Sequence, residues 1–145
     1  MNFRYLFRYL FPVFLKADKY GIFVIGVDTV EYTYKILDSV YYWMLSKQKN
    51  IEVRLLNEKS EKIQVGDFIT FTNMEHEEKF IKVKIIDKNV FDNVEELLDK
   101  YDINHIMPNH TLEDIKETLI KIYGNESVAK KLVAFKFEYL SSDKE

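Results

Sequence analysis

Lys49-Asn50-Ile51-Glu52-Val53-Arg54, answered a few residues later by Val65-Gly66-Asp67, is the stretch on which the reading of this chain turns. It stands where a helix-like segment gives way to a strand-like one. With residues 51–55 extended, side chains alternate and Glu52 and Arg54 project from the same side. Lys49 comes just before them, so an ammonium, a carboxylate and a guanidinium converge at an element junction. Such a group suits a small polar pocket for a nucleobase, sugar or phosphate. Of 21 basic residues only Arg4, Arg8 and Arg54 are arginine. Lysine is the general solvating cation here, and arginine stands where a rigid bidentate fork has a use. The plain alternative is a structural salt bridge from Arg54 to a neighbouring carboxylate, the commoner fate of such a charge.

Working outward, Val30, Tyr32, Tyr34 and Ile36 alternate with polar neighbours and read as a half-buried strand. Asp38 or Ser39 can cap a short helix whose Val40, Tyr41, Met44 and Leu45 face inward, and whose exit at 46–50 is basic. Downstream, 57–62 reads as a polar loop. Val65-Gly66-Asp67 is a turn into the strand Phe68 to Thr72, and a hairpin tip at 73–78 returns through Phe80 to Ile86. Asn93 with Glu96, and Thr111 with Asp114, have N-capping spacing. Leu112, Ile115, Leu119 and Ile122 share a helical stripe that ends at Gly124. A helical turn at most occupies 128–131, and Leu132 to Leu140 is the closing strand. The pattern is α+β: a small barrel of mostly antiparallel strands with several short helices.

Composition bounds the function. A chain of 145 residues, 47% hydrophobic and 31% charged, can bury a core in one domain. There is no cysteine, which excludes disulfides, thiolate nucleophiles and zinc–cysteine sites and favours a cytoplasmic (intracellular) location. A net charge of −3 provides no global pull toward nucleic acid, so such binding needs a local basic patch. Four glycines leave no room for a Gly-rich phosphate loop. His105 and His110 lack the spacing of a zinc pair, and His76 sits in an acidic hairpin tip, so no metal and no cofactor is expected. Most aromatics are expected in the core, with Tyr42 and Trp43 the better candidates for stacking on bases.

The N-terminus doubles a tetrapeptide, Phe3-Arg4-Tyr5-Leu6 then Phe7-Arg8-Tyr9-Leu10. Phe3, Phe7, Leu10, Phe11 and Phe14 fall on one helical stripe, and Pro12 would end or kink a helix there. The run is too short and too charged for a membrane span, and nothing in it resembles a secretory cleavage site. Residues 1–27 are therefore an extension: packed on the domain's own core, serving as a homodimer or protein-partner contact through 1–15, or lying on a membrane surface.

Residues from about 29 to 140 resemble the ASCH domain, of the PUA-like barrel superfamily. The resemblance rests on Ser46-Lys47-Gln48-Lys49-Asn50 followed by Ile51-Glu52-Val53-Arg54-Leu55. Asn57-Glu58-Lys59 and then Ile63 to Phe71 around Gly66-Asp67 come next, and finally a helical insert with Tyr123 before Leu132 to Phe137. The family motif reads roughly Gly-x-Lys-Thr-x-Glu-x-Arg, then a Gly-Asp turn. Lys49, Glu52 and Arg54 match it. Lys47 stands where many relatives have glycine, and Asn50 where they have threonine. The resemblance implies a PUA-like domain at 28–140 with a disordered tail at 141–145.

It also implies a fold used on RNA or modified nucleosides. Some ASCH proteins resemble nucleases in activity, and one branch removes the acetyl group from acetylcytidine with a lysine, a threonine and a glutamate. Only the lysine has a counterpart, Lys49; Glu52 stands at the threonine's place and Pro108 at the glutamate's. The first expectation is RNA or modified-nucleoside binding in a cleft at Lys49, Glu52 and Arg54, with Lys47, Asn50, Asn57 and Trp43 as further ligand contacts. The alternative is a small hydrolase at the same cleft, with Glu52 as general base and Lys49 stabilising charge. A third makes the N-terminal segment the working part, as a protein or membrane contact.

Overall fold

The computed structural model describes residues 13–17, 23–27 and 29–145, and divides the chain into two units, Met1–Val30 and Glu31–Glu145. In the first, β1 (Val13–Ala17) pairs antiparallel with β2 (Phe23–Val27), Val13 facing Val27 and Ala17 facing Phe23. Phe14 is thus on a strand, not on the expected helical stripe; Pro12 interrupts the continuous helix that a stripe running through to Phe14 would need. The rest of that stripe, with Arg4 and Arg8, lies outside the described residues.

The second unit is built on one mixed sheet in the order β3-β5-β6-β7-β4. Its strands are β3 (Glu31–Ile36), β4 (Ile51–Leu55), β5 (Phe68–Asn73), β6 (Phe80–Phe91) and β7 (Leu132–Ser142). β3 runs parallel to β5, and the other pairs are antiparallel. Four α-helices join them: α1 (Asp38–Leu45), α2 (Glu58–Lys62), α3 (Val94–Lys100) and α4 (Leu112–Tyr123). The β6–β7 ladder breaks register between Lys82 and Val83 and between Ile85 and Asp87. Such bulges add bend and twist, and the sheet curls into a half-barrel.

The second bulge also swaps faces. Before it, Ile81, Val83 and Ile85 join Val133, Phe135 and Phe137 in the core inside the curl, with Tyr34, Tyr41 and Phe71. One residue slipped, Phe91 pairs with Leu132 and turns to the opposite face. There Ile51, Leu55, Val94, Leu97 and Ile115 form a second core under α3 and α4. Thr111 and Asp114 close a capping box at the start of α4; at Asn93, which accepts from the Glu96 amide, the Glu96 carboxylate accepts from the Asp92 amide instead of completing one. Gly124 ends α4 at φ +87°, a conformation costly for a side chain. Ile122 is 61% exposed, contrary to the expected stripe, because Tyr123 takes the inward place in the last turn.

Three further expectations change. Residues 58–62 are helix rather than loop, because Asn57 and the fully buried Ser60 close a capping box around α2. Asp38 does not cap α1; Leu37 is its N-cap, and the Asp38 carboxylate instead accepts from Asn73 at 2.8 Å. The tail at 141–145 is drawn onto the sheet: β7 runs to Ser142, and Asp143 accepts from the Tyr41 hydroxyl at 2.7 Å and the Phe80 amide at 3.0 Å.

Candidate functional site at the β3–β4 seam

β3 and β4 are the two edges of the sheet, and the curl brings them to face each other without a ladder between them. Edge strands carry unpaired backbone groups, and buried ones need partners. Side chains supply them here. On β3, Lys59 donates to the Thr33 carbonyl and Arg54 Nη2 to the Lys35 carbonyl at 3.3 Å. On β4, Lys49 Nζ donates to Ile51 O at 2.7 Å, and the Ser60 hydroxyl to Leu55 O at 2.8 Å. Glu52 Oε1 accepts from the Val53 amide at 3.1 Å. The charges legible at 49–54 are thus threaded along an open seam.

Lys49 and Glu52 are 4% and 6% exposed. Lys49 Nζ also donates to Ile106 O at 2.8 Å and stands 3.6 Å from Glu52 Oε1. Its three protons thereby face two carbonyls and a carboxylate. Arg54 Nη2 lies 3.4 Å from Glu52 Oε2, which places the carboxylate between two cations. Burial drives the Lys49 ammonium below its ordinary pKa, with Glu52 restoring part of the loss. Burial alone would push the Glu52 carboxyl up, but Lys49, Arg54 and the Val53 amide outweigh it and hold it below the usual carboxylate range. Arg54 is raised because Glu52, Tyr123 and Tyr34 outweigh its burial.

Beyond Arg54 the row continues onto an aromatic ring. The Arg54 guanidinium carbon lies 4.2 Å from the Tyr34 ring centroid, and Lys59 Nζ 3.9 Å from it. Burial pushes the Tyr34 hydroxyl up to about 12, with Arg54 opposing.

At the other end, the loop after α1 lies against the segment 103–110, joined by the Asn50 amide donating to His105 O at 3.1 Å. Between them is a cavity of about 300 Å³ lined by Lys47, Gln48, Asn104, His105, Pro108 and Asn109. Lys47 at φ +65° and Asn109 at φ +62° both hold left-handed backbone, the only non-glycine residues to do so among those described. Lys47 is the αL residue that terminates α1, its amide donating to Met44 O at 2.9 Å. The Asn50 Oδ1 atom is buried without a hydrogen-bond partner.

This architecture is similar to several solved structures. The hypothetical protein PH0355 shares 24% identity over 76% of this chain and 99% of its own, with a TM-score of 0.64. The ASCH domain from Lactobacillus crispatus shares 14% over 77% of this chain and 79% of its own, TM-score 0.56. A mutant of the Zymomonas mobilis ASCH protein shares 14% over 74% and 67%, TM-score 0.56. The chain has the fold of an ASCH domain. No family model and no curated protein matches the sequence itself.

Lys47 holds a left-handed backbone, which glycine adopts at least cost. Of the expected ligand contacts, Lys47 lines the cavity, whereas Lys49 and Glu52 are enclosed beside it and Arg54 lies farther along the seam. Asn57 caps α2, accepting from the Ser60 amide at 2.9 Å. Trp43 packs edge-on against His110, centroids 5.5 Å apart, and the Tyr42 hydroxyl accepts from Lys79 at 2.9 Å. Gln48, Asn104, His105 and Asn109 were not anticipated, because no local period links 47–48 to 104–109. Tyr34 and Lys59 were missed for the same reason. Asp38, Glu75 and His76 bring one ligand atom each within 4.8 Å of one another, Glu75 and His76 exposed and Asp38 already bonded to Asn73. Among the described residues no helix is long and apolar enough to cross a membrane.

Proposed function

We propose that this chain is an RNA- or modified-nucleoside-binding module whose ligand enters the cavity between the 46–50 loop and residues 103–110. The cavity is the observation that carries the reading: about 300 Å³, edged by one cation and three side-chain amides. Amides offer both a donor and an acceptor, the pattern on a base edge, and the size suits a single nucleoside. Lys47, whose Nζ lies 4.6 Å from the Tyr139 ring centroid, adds a charge for a phosphate, and Arg54 extends the polar row away from the opening. Binding is favoured over chemistry because the Lys49 protons and the Glu52 oxygens are already engaged inside the protein. Residues 1–27 then serve as an extension that contacts a partner or a second copy, and the cysteine-free chain acts inside the cell.

The test is equilibrium binding of modified nucleosides and short RNAs at two salt concentrations, with mass spectrometry of the same mixtures. Saturable, salt-sensitive binding that weakens in Lys47→Ala and Gln48→Ala is expected. Binding indifferent to both substitutions, or none across the panel, refutes the assignment. The hydrolase reading keeps one supporting observation: burial, helped by the nearby Arg54, depresses the Lys49 pKa as a catalytic lysine requires, with Glu52 opposing. Product that disappears in Lys49→Ala would establish it.

A further inference from the structure

The far end of the seam holds a second group of polar atoms that the cavity does not use. Tyr34 is flanked by two cations, Arg54 and Lys59, each near 4 Å from its ring centroid. Glu52 neutralises Arg54, but Lys59 has no carboxylate within ion-pairing distance among the described residues. Its one hydrogen bond goes to Thr33 O, leaving the other ammonium protons available. The Tyr34 hydroxyl makes no hydrogen bond to any described residue, although the residue is 9% exposed. Tyr123 adds a second phenol beside the guanidinium. Two cations and an unused hydroxyl donor, with one balancing carboxylate on the inner side, leave an excess of positive charge at the mouth of the seam.

We propose that Tyr34, Lys59 and Arg54 form a phosphate-binding site, distinct from the nucleoside cavity and reading an oxyanion rather than a base. The ligand class follows from donor chemistry: an ammonium and a guanidinium only donate, and the phenol hydroxyl can donate as well, so all three can serve phosphate oxygens. The ring fixes both cations by cation–π contact, so little ordering is needed when the anion arrives. Burial and the neighbouring Arg54 both depress the Lys59 pKa, the condition an arriving anion relieves. The inference deepens the reading above, on which it rests for the nucleic-acid origin of the phosphate. The Lys49–Glu52–Arg54 chain of contacts joins the two sites inside the protein, through side chains that are themselves buried at Lys49 and Glu52.

The experiment compares four probes on the full chain: inorganic phosphate, a nucleoside, its 5′-monophosphate, and a short RNA without terminal phosphates. Tyr34→Phe keeps the ring and removes only the hydroxyl; Lys59→Gln changes an exposed residue. Thermal unfolding confirms that both variants remain folded. The monophosphate is expected to bind about tenfold tighter than the nucleoside, an advantage that Tyr34→Phe reduces severalfold. Lys59→Gln is expected to lower the salt slope for the short RNA by about 0.7. Gain with the monophosphate and inorganic phosphate alone would assign the site to a terminal or free phosphate; gain with the unphosphorylated RNA assigns it to the backbone. A monophosphate that binds no better than its nucleoside, or an advantage untouched by both variants, overturns the site and leaves the cavity reading standing. Tyr34-dependent binding of phosphate without any nucleoside binding does the reverse.

Discussion

Replacing Glu52 with glutamine tests whether the buried charges hold the seam. The substitution keeps the shape and an acceptor for the Val53 amide, but leaves Lys49 and Arg54 without the carboxylate that stands 3.6 and 3.4 Å from them. At an effective dielectric of about 20, each contact at that range is worth about 4 kcal/mol before desolvation is subtracted. Removing one partner of a buried pair costs about 3–5 kcal/mol once it is. Because glutamine retains the backbone bond, a loss near the lower figure, about 3 kcal/mol, is expected. For a domain of roughly 100 residues that lowers Tm by on the order of 10–20 °C. Urea unfolding at pH 7 and at pH 10 gives a second check. The folded pKa of Lys49 lies below its unfolded value, so the unfolded chain binds more protons between the two and stability rises with pH across that window. Without Glu52 the folded value drops further and the window widens. The deficit of Glu52→Gln should therefore be largest at neutral pH and shrink as pH approaches the unfolded lysine value of about 10.4. A loss under about 1 kcal/mol, or one equal at both pH values, would show that water rather than Glu52 serves these cations.

Lys47→Gly relieves a left-handed side chain and should stabilise the protein by about 0.5–1 kcal/mol in urea unfolding, after glycine's extra unfolded-state entropy is counted, while weakening RNA binding. Destabilisation would mean that the Lys47 contact with the Tyr139 ring, 4.6 Å from Nζ to centroid, outweighs its backbone. Asn57→Ala removes the α2 capping box and should cost about 1 kcal/mol, with ligand affinity unchanged; lost affinity at full stability would return Asn57 to the ligand site. Tyr41→Phe removes the donor to Asp143 and should cost about 1–2 kcal/mol. Limited proteolysis should then cut the C-terminal residues sooner, and an unchanged cleavage rate would show that the tail is held by other bonds.

What was legible in the sequence was whatever has a local period or cap. Alternation marked β3 and β6 as far as Ile86, short of its end at Phe91 because the bulge at Ile85/Asp87 breaks the period; the Gly66-Asp67 turn marked β5, and Thr111-Asp114 with Gly124 bounded α4. α2 was missed because its five residues carry no apolar stripe; its signal was the Asn57–Ser60 pair, which lies within a stretch of polar residues that otherwise reads as loop. The shared side of Glu52 and Arg54 was legible, but its burial was not, since exposure there depends on β3 arriving from the far edge of the sheet. The same holds for the cavity, whose two walls are more than fifty residues apart. Lys49, Glu52 and Arg54 were found by motif and spacing; Tyr34 and Lys59, which complete their row, meet Arg54 only through sheet curvature.

The seam explains why charged residues are buried here at all. An apolar filling would satisfy the hydrophobic core but leave the buried carbonyls of Ile51 and Leu55 without donors, each a desolvation cost, whereas those of Thr33 and Lys35 are open to water. A ladder between β3 and β4 would satisfy them and close the barrel, at the cost of any opening. Long side chains do a third thing: they reach across, bond the edge carbonyls, and bring their remaining protons to the mouth. Arg54 shows the division, with one nitrogen shared between Glu52 and Lys35 O and the guanidinium face laid on Tyr34. The residues that close the half-barrel therefore also set the charge of its entrance. Loss of binding in an Arg54 or Glu52 variant cannot separate the two roles, whereas the exposed Lys59 and the Tyr34 hydroxyl, which bonds no edge carbonyl, can. If those two leave both stability and phosphate affinity unchanged, the row is a seam lock and nothing more.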